Sequence, residues 1–328
     1  MICLNDEKIK KSLKIKDVIK VIEDGFRKKI LGLVDLPPKM GPKLGIKGAF
    51  ADAMPVSVFR DQRSGGRGSK QKNQLEIFGV KWISGFTDNV KKGIPYLNPL
   101  VVLNNPKDGL PIAILKGSWI TAIRTAGVSA VTAKYLAPRK SLLQQAPTIG
   151  IFGLGLQAYV HVLVFKEIFK NPKFILFDHD SKLLSKFKKR FPKERFASSK
   201  NFHDVVKASD IILSATPFPK KITPYIYAKD LKKDVLILPL EYGGRIDPAL
   251  YKHLDEVYTD DIVQYNLKSK LRQYFPPNSP KIKTEIGDLI TKKYKRESKS
   301  KRILVFNLGL ALFDILVARA CLKRLRNF

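Results

Sequence analysis

The stretch Thr148-Ile-Gly-Ile-Phe-Gly-Leu-Gly-Leu-Gln-Ala158 decides how the middle of the chain folds. Its pattern predicts a buried strand, a tight glycine turn and the start of a helix, with Gly153, Gly155 and Ala158 at the G-x-G-x-x-A positions of a dinucleotide-binding turn. The first glycine allows the sharp turn, the second lets a pyrophosphate approach the backbone, and the alanine lets the helix lie close to the sheet. The pyrophosphate would bind free N–H groups at the helix N-terminus. The pattern also occurs in turns without a ligand, so its context decides.

Strands and helices alternate after residue 148. Strands are predicted at 148–152, 174–177, 211–215, 235–240 and 256–258, and helices at 157–169, 180–191 and 201–207. This rhythm predicts an α/β fold with a doubly wound parallel sheet of the Rossmann type. Asp178 ends the second strand, near the ~20-residue spacing at which an acid binds the adenosine ribose. A carboxylate there repels a 2′-phosphate and favours NAD over NADP, although the neighbouring His179 and many lysines leave NADP as an alternative.

The first 115 or so residues predict a different architecture. Residues 15–31 have the apolar spacing of a helix, and strands at 75–84, 99–104 and 111–115 predict a mostly antiparallel sheet. A polar, glycine-rich loop is expected at 61–73. Residues 303–322 form the most apolar stretch, and Asp314 within it favours a buried amphipathic helix over a membrane span.

Composition limits the classes of function. The 328 residues suggest two domains, and 61 Lys and Arg against 29 Asp and Glu give a net charge of +32. Such a charge can indicate a nucleic-acid or anionic-membrane partner, or a generally basic surface. The basic residues are spread along the chain without a recognisable nucleic-acid-binding motif, which makes nucleic acid the less favoured partner. Cys3 and Cys321 form no disulfide framework, and the polar N-terminus lacks an apolar signal region, so a cytoplasmic protein is expected.

Three charged residues are candidates for chemistry. Lys81 lies in an apolar strand, where an ammonium is costly to bury unless it is paired; the alternative is a side chain that faces solvent. Arg124 lies in a helix of small residues and could bind a carboxylate or phosphate through its planar fork, or form a structural ion pair. Glu241 follows a strand at the edge of the parallel sheet where ligands gather, or is a solvated acid. No metal site is predicted, because the histidines lack ligand spacing: His161, His179, His203 and His253.

The sequence resembles the ornithine cyclodeaminase/mu-crystallin family over nearly its whole length. The stretches that carry the resemblance are 53–55, 79–86 with Asn89, 93–95, 102–105, 109–113, 120–130, 153–158, and 309–311 with Asp314. Lys-Trp-Ile-Ser-Gly-Phe at 81–86 and Arg-Thr-Ala at 124–126 are far more specific than the glycine turn.

The resemblance implies a two-domain, homodimeric enzyme. A substrate-binding and dimerisation domain of α+β type would comprise residues 1–118 and 304–328, and an NAD-binding Rossmann domain residues 119–303. Members bind NAD(P) and exchange hydride with the Cα of small amino or imino acids, as dehydrogenases, imine reductases or cyclodeaminases. The alternative is an accessory or carrier protein that keeps the cofactor without turnover.

The resemblance also implies roles for individual residues. Lys81 and Glu241 would be catalytic, with Glu241 standing where the family has an aspartate. The substrate would be bound by Lys39, Met54, Lys81 and Arg124, with Lys39 at a position that is usually arginine. The cofactor would be bound by Thr125, Gly153, Gly155, Leu156, Gln157, Ala158, Asp178, Ala215 and Thr216.

Overall fold

The structure, a computed structural model, describes residues 1–61, 74–144, 146–219, 221–267, 281–294, 296 and 299–326. The chain divides into two compact units. The first comprises Met1–Thr125 and Leu310–Phe328, and the second comprises Ala126–Gly309. The polar loop predicted at 61–73 lies, except for Asp61, outside the described residues.

The first unit combines a sheet with helices from both ends of the chain. Its helices are α1 (Asp6–Ser12), α2 (Ile15–Ile30) and α10 (Ala311–Arg326), and a 3-10 helix spans Thr87–Lys92. Its strands are β1 (Ile2–Leu4), β2 (Val34–Asp35), β3 (Ala49–Phe59), β4 (Leu75–Phe86), β5 (Leu97–Asn104) and β6 (Pro111–Lys116). Within the described residues they form one sheet in the order β1-β6-β5-β4-β3-β2. The β1–β6 pair is parallel and the others are antiparallel, as predicted for β4, β5 and β6.

The two faces of this sheet differ in burial because side chains alternate along each strand. Along β4 every second residue from Ile77 to Gly85 is buried, and the residues between them are more exposed. Helix α10 packs against β3, β4 and β5. It also packs against α2, where the ring centroids of Phe26 and Phe313 are 4.7 Å apart. The buried face of the sheet therefore forms the core of the unit with the last helix of the chain.

The second unit is a parallel α/β unit. Helix α3 (Gly117–Leu136) begins in the first unit and ends in the second. The helices that follow are α4 (Arg139–Gln144), α5 (Leu156–Ile168), α6 (Ser181–Lys189), α7 (Phe202–Ala208), α8 (Ile262–Asn266) and α9 (Ile286–Thr291). Its strands are β7 (Thr148–Phe152), β8 (Lys173–Phe177), β9 (Ala197–Ser198), β10 (Ile211–Ser214), β11 (Val235–Pro239), β12 (Glu256–Thr259), β13 (Thr284–Glu285) and β14 (Arg302–Phe306). Short 3-10 helices span Ala228–Asp230 and Pro248–His253.

The strands of this unit run in the order β13-β12-β14-β11-β10-β7-β8-β9. Every pair is parallel. The chain winds from β7 to β8 and β9 in one direction and then to β10 and β11 in the other, so the order reverses at β7. This doubly wound arrangement confirms the predicted fold class, and the reversal is where such sheets bind ligands.

The apolar stretch 303–322 is not one helix, and this corrects the sequence interpretation. Its first part is strand β14, which pairs with β11 and β12, and only Ala311–Arg326 is helical. The break follows from the run of buried Ile303–Phe306, which suits a central strand, and from Gly309, whose φ of +79° ends the extended chain. The two compact units divide at 125/126 and at 309/310, so that β14 belongs to the unit with the parallel sheet. The domain bounds that the resemblance implies, 118/119 and 303/304, stay a prediction.

No helix among the described residues has both the length and the apolar composition that crossing a bilayer requires.

Candidate active site

Lys81 lies in the middle of β4, on the face of the sheet that packs against α10. Its side chain is fully buried, and its Nζ donates a hydrogen bond of 2.8 Å to Oδ1 of Asp314 on α10. The alternative that Lys81 faces solvent is therefore wrong. Alternation along β4 places this lysine on the core side and leaves its neighbour Trp82 on the other side.

The same carboxylate also binds Arg124 of α3. Arg124 Nε donates to Asp314 Oδ1 at 3.3 Å and lies 3.2 Å from Oδ2. The hydroxyl of Thr121, one turn earlier on α3, donates to Oδ1 at 3.4 Å. Lys81, Arg124 and Asp314 are all buried, so the three charges interact with little screening by solvent. A lysine and an arginine are thus held at one aspartate.

Burial lowers the pKa of Lys81 to about 7, because the neutral amine is favoured away from water. The negative charge of Asp314 and its hydrogen bond raise this pKa, whereas the positive charges of Arg124 and Lys39 lower it further. Lys81 can therefore gain or lose a proton near neutral pH, as a group that exchanges protons with a substrate must.

Lys39 and Met54 lie close to this cluster. The backbone of Met40 exchanges two hydrogen bonds with Ala53 of β3, which holds the segment containing Lys39 against the sheet. Lys39 is half-buried and its charge acts on Lys81. Met54 is directly opposite Lys81 in the β3–β4 register and is buried beside Ile83 and Ala311. The structure therefore brings together the four residues predicted to bind substrate.

Asp314 is the residue of this cluster to which sequence reasoning assigned no role. It is fully buried and contacts Lys81, Thr121 and Arg124. An acid inside an apolar helix was the available signal, since a buried carboxylate needs a cationic partner.

The second unit contains the glycine turn. Gly153 has a φ of +82°, and a Cβ there would lie 2.8–2.9 Å from the backbone of Ala215 and Thr216. Gly155 is different, because a Cβ added to it would meet nothing within 4 Å. Gly155 is also the N-cap of α5, where no side chain caps the helix. The turn therefore leaves open space beside uncapped N–H groups at a helix N-terminus, which fits a pyrophosphate.

Asp178 follows β8 and is bound to the turn. Its Oδ2 accepts a hydrogen bond of 3.0 Å from Leu154 N–H, and its Oδ1 accepts one of 3.0 Å from Asp180 N–H. A carboxylate has about four acceptor positions, so lone pairs remain for ribose hydroxyls. The Nε2 atom of His179 lies 2.8 Å from the hydroxyl of Tyr225. The acid and the glycine turn thus form one hydrogen-bonded structure that suits a dinucleotide.

The other predicted cofactor residues have varied surroundings. Ala158 is fully buried, Leu156 is exposed, and Gln157 Oε1 is buried without a hydrogen bond from the described residues. Thr216 Oγ1 accepts a hydrogen bond from Arg245, and Ala215 N–H donates to the carbonyl of Phe152. In the first unit, the Thr125 hydroxyl donates to the carbonyl of Thr121. Their roles in binding stay predictions.

Glu241 follows β11 and is almost fully buried, so the alternative of a solvated acid is wrong. Neither of its carboxylate oxygens has a hydrogen bond of good geometry with the described residues, although Ser214 lies close enough to affect it. Burial raises the pKa of Glu241 to about 8, and Ser214 and the charge of Arg245 oppose this effect only in part. Glu241 therefore holds its proton at neutral pH.

This raised pKa makes stability depend on pH. Between about pH 4.5 and about pH 8 the unfolded carboxyl is ionised while the folded one keeps its proton, so stability falls as pH rises through that window. We expect Glu241→Gln to remove this loss, worth a few kcal/mol at the upper end, and to stabilise the protein more at pH 8 than at pH 5. Urea unfolding at both pH values measures the difference. The control Glu167→Gln, at an exposed position of α5, should show no such dependence, and an equal effect of Glu241→Gln at both values would contradict the assignment.

The chain is similar to known proteins over nearly its whole length. The model of the ornithine cyclodeaminase/mu-crystallin family matches residues 2–327. The nodulation efficiency protein NfeD of Rhizobium meliloti is 27% identical over 317 residues, which cover 94% of this chain and 90% of that protein. An alanine dehydrogenase of Archaeoglobus fulgidus is 22% identical over 324 residues, which cover 96% and 92%.

Solved structures share the fold. The Thermococcus litoralis Delta(1)-pyrroline-2-carboxylate reductase in complex with NADH and L-proline has a TM-score of 0.81 and 22% identity, and the match covers 100% of this chain and 98% of that one. An archaeal alanine dehydrogenase dimer with bound NAD has a TM-score of 0.82 and 22% identity over 100% and 96% of the two chains. The family match spans nearly every residue, and the chain therefore belongs to the ornithine cyclodeaminase/mu-crystallin family.

Proposed function

We propose that this chain is a cytoplasmic, homodimeric, NAD-dependent enzyme that exchanges hydride between the cofactor and the Cα of a small amino or imino acid. The observation that carries the proposal is the buried cluster of Lys81, Arg124 and Asp314, in a chain whose second unit has a dinucleotide-binding turn. A relative named alanine dehydrogenase and a neighbour solved with NADH and L-proline support the same class of substrate.

The substrate carboxylate is assigned to Arg124 and Lys39. A planar guanidinium can bind a carboxylate through two parallel hydrogen bonds, which fixes the orientation as well as the position of the ligand. Lys39 adds positive charge without that geometry. Lys81 would hydrogen-bond the reacting group and polarise it, and fixed charges at such a point are often the largest contribution to catalysis.

Glu241, in the second unit, is assigned the exchange of a proton with the substrate nitrogen. Because its burial keeps it protonated at neutral pH, it is ready to donate when an imine is reduced. Oxidation of an amine requires the ionised form of Glu241, which accepts the proton, and is therefore favoured at higher pH.

NAD would be held by the glycine turn and by Asp178, and when bound it supplies or accepts the hydride. Gly155 and the uncapped start of α5 would bind the pyrophosphate. Asp178 would accept hydrogen bonds from the adenosine ribose and disfavour the 2′-phosphate of NADP.

The proposal is tested by a screen of amino and imino acids with NAD(H) and NADP(H) in parallel. Pyruvate with ammonium, Delta(1)-pyrroline-2-carboxylate, L-alanine, L-proline and L-ornithine cover imine reduction, dehydrogenation and cyclodeamination. Turnover of at least one compound, with preference for NAD(H), is expected. Tight NADH binding without turnover of a broad panel would instead support a cofactor-binding accessory or carrier protein. The observation that favours this second candidate is a departure from the family pattern at two positions, Lys39 and Glu241.

The proposed homodimer uses the outer face of the first unit's sheet. Val80 and Trp82 of β4 lie opposite Val102 and Leu100 of β5 in the strand register. Trp82 is 41% exposed and Leu100 is 38% exposed, whereas helix α10 packs on the other side. Exposed apolar side chains grouped on one face of a sheet are typical of a protein interface. The neighbour described as an alanine dehydrogenase dimer supports the same state.

We expect Trp82→Glu to weaken this dimer at least about 30-fold, because a charge replaces a large aromatic anchor at an interface centre. Sedimentation velocity over a range of protein concentrations measures the change. Leu110→Glu is the matched control, since Leu110 is 63% exposed in the turn between β5 and β6 and should not affect assembly. A Trp82→Glu protein that stays fully dimeric would place the interface elsewhere.

A further inference from the structure

We propose that Asp314 is a positioning residue of the reaction: its carboxylate fixes the ammonium of Lys81 and the guanidinium of Arg124 in the orientation in which both bind one substrate. The inference rests on the proposed function and goes further by assigning a role to a residue of the last helix. Asp314 is fully buried, and its three contacts come from β4 and from two successive turns of α3.

The contact with Arg124 determines which edge of the guanidinium is left for the substrate. Asp314 binds Nε, on one side of the planar group. The edge formed by the two terminal nitrogens is the one that can hold a second carboxylate through two parallel hydrogen bonds. Holding Nε also prevents the guanidinium from rotating, so the fork is oriented before the substrate arrives.

The contact with Lys81 determines its charge. Burial and the neighbouring cations Arg124 and Lys39 lower the pKa of Lys81, and the negative charge of Asp314 raises it. Asp314 also accepts a hydrogen bond from one of the three ammonium hydrogens. Without this carboxylate, Lys81 would be neutral at neutral pH and could not polarise a substrate by its charge. One aspartate therefore both orients the cluster and raises the pKa of its lysine.

The charges around Lys81 also show why an anionic substrate completes the cluster. Lys81, Arg124 and Lys39 are the cations, and Asp314 is the anion, among the groups that act on the Lys81 ammonium. Binding of a carboxylate reduces this positive excess. This matches a substrate with a carboxylate next to its reacting carbon.

The test is the pH dependence of kcat/KM in Asp314→Asn. Asp314 lies 2.8 Å from the Lys81 ammonium, and loss of its charge is expected to move the alkaline limb of the profile down by about 1 to 3 pH units. At a pH above the limb, kcat/KM then falls about tenfold for each pH unit by which the limb moves. Substrate is the imino acid that the screen identifies. Thr121→Val is the matched control, because it removes only the 3.4 Å contact to the same carboxylate and should leave the limb in place.

Two further measurements separate positioning from a structural role. NADH affinity, followed by fluorescence, should be unchanged in Asp314→Asn, while binding of pyrrole-2-carboxylate, a planar carboxylate probe, should weaken at least tenfold. If Asp314→Asn fails to fold, Asp314→Glu replaces it. This variant keeps the negative charge, so the alkaline limb of the pH profile should stay in place. Its longer side chain displaces the Lys81 ammonium and the Arg124 guanidinium, which should raise KM at least fivefold. An unmoved limb in Asp314→Asn, or an unchanged KM in Asp314→Glu, overturns the inference and leaves the proposed function intact. Failure of the wild-type protein to turn over any compound in the screen overturns both.

Discussion

Lys81→Met is expected to lower kcat/KM by about a factor of 1,000 while NADH affinity changes less than about twofold. The substitution removes the charge that would polarise the reacting group and keeps a side chain of similar length. Asp314 retains its contact with Arg124, so no buried carboxylate is left without a partner. The protein should therefore stay folded, and the loss should lie in the reaction.

Steady-state kinetics with the substrate from the screen, together with NADH fluorescence, measure both quantities. Lys107→Met is the matched control, because Lys107 is exposed in the turn between β5 and β6, and its loss should change neither. A Lys81→Met enzyme with wild-type kcat/KM would show that the buried lysine is structural. Loss of NADH binding together with activity would show that the variant has damaged the fold.

Gly155→Val is expected to weaken NADH binding by a factor on the order of 100 or more with little change in stability. Nothing in the protein lies within 4 Å of an added Cβ at this position, so the side chain would enter only the space that the pyrophosphate needs. The backbone of Gly155 has a φ of −82°, which any residue can adopt. The loss should therefore appear in binding.

Gly153→Val provides the contrast. At that position an added Cβ would lie 2.8 Å from the carbonyl oxygen of Ala215, and φ is +82°, so the substitution should lower the melting temperature. Fluorescence titration and thermal unfolding of both variants separate the two effects. Wild-type NADH affinity in Gly155→Val would show that the cofactor does not bind at the turn.

Local patterns in the sequence are sufficient to predict much of this structure. The glycine turn, its flanking strand and the acid that follows the next strand lie close together in the chain, and short-range rules of spacing suffice to find them. Lys81 stood out because a charged residue in an apolar strand needs a partner. The burial of Glu241 could not be read from the sequence, because it depends on how distant segments pack around the end of β11.

Two features depend on contacts between distant residues. The Lys81–Asp314 pair joins residues 233 positions apart, and no local rule indicates which acid will meet which base. The division of residues 303–322 into β14 and α10 was missed because a short apolar run fits a buried strand and a buried helix equally well. Pairing of β14 with β11 and β12 decides between them.

Transfer of an isotope label shows directly whether hydride passes between the nicotinamide and the substrate Cα. The protein is incubated with an imino acid and NADH carrying deuterium at C4, in separate reactions for the two faces of the ring, and the amino acid product is examined by mass spectrometry and NMR. One deuterium is expected at Cα from one of the two labelled cofactors and none from the other. An amino acid product without deuterium in both reactions would contradict it.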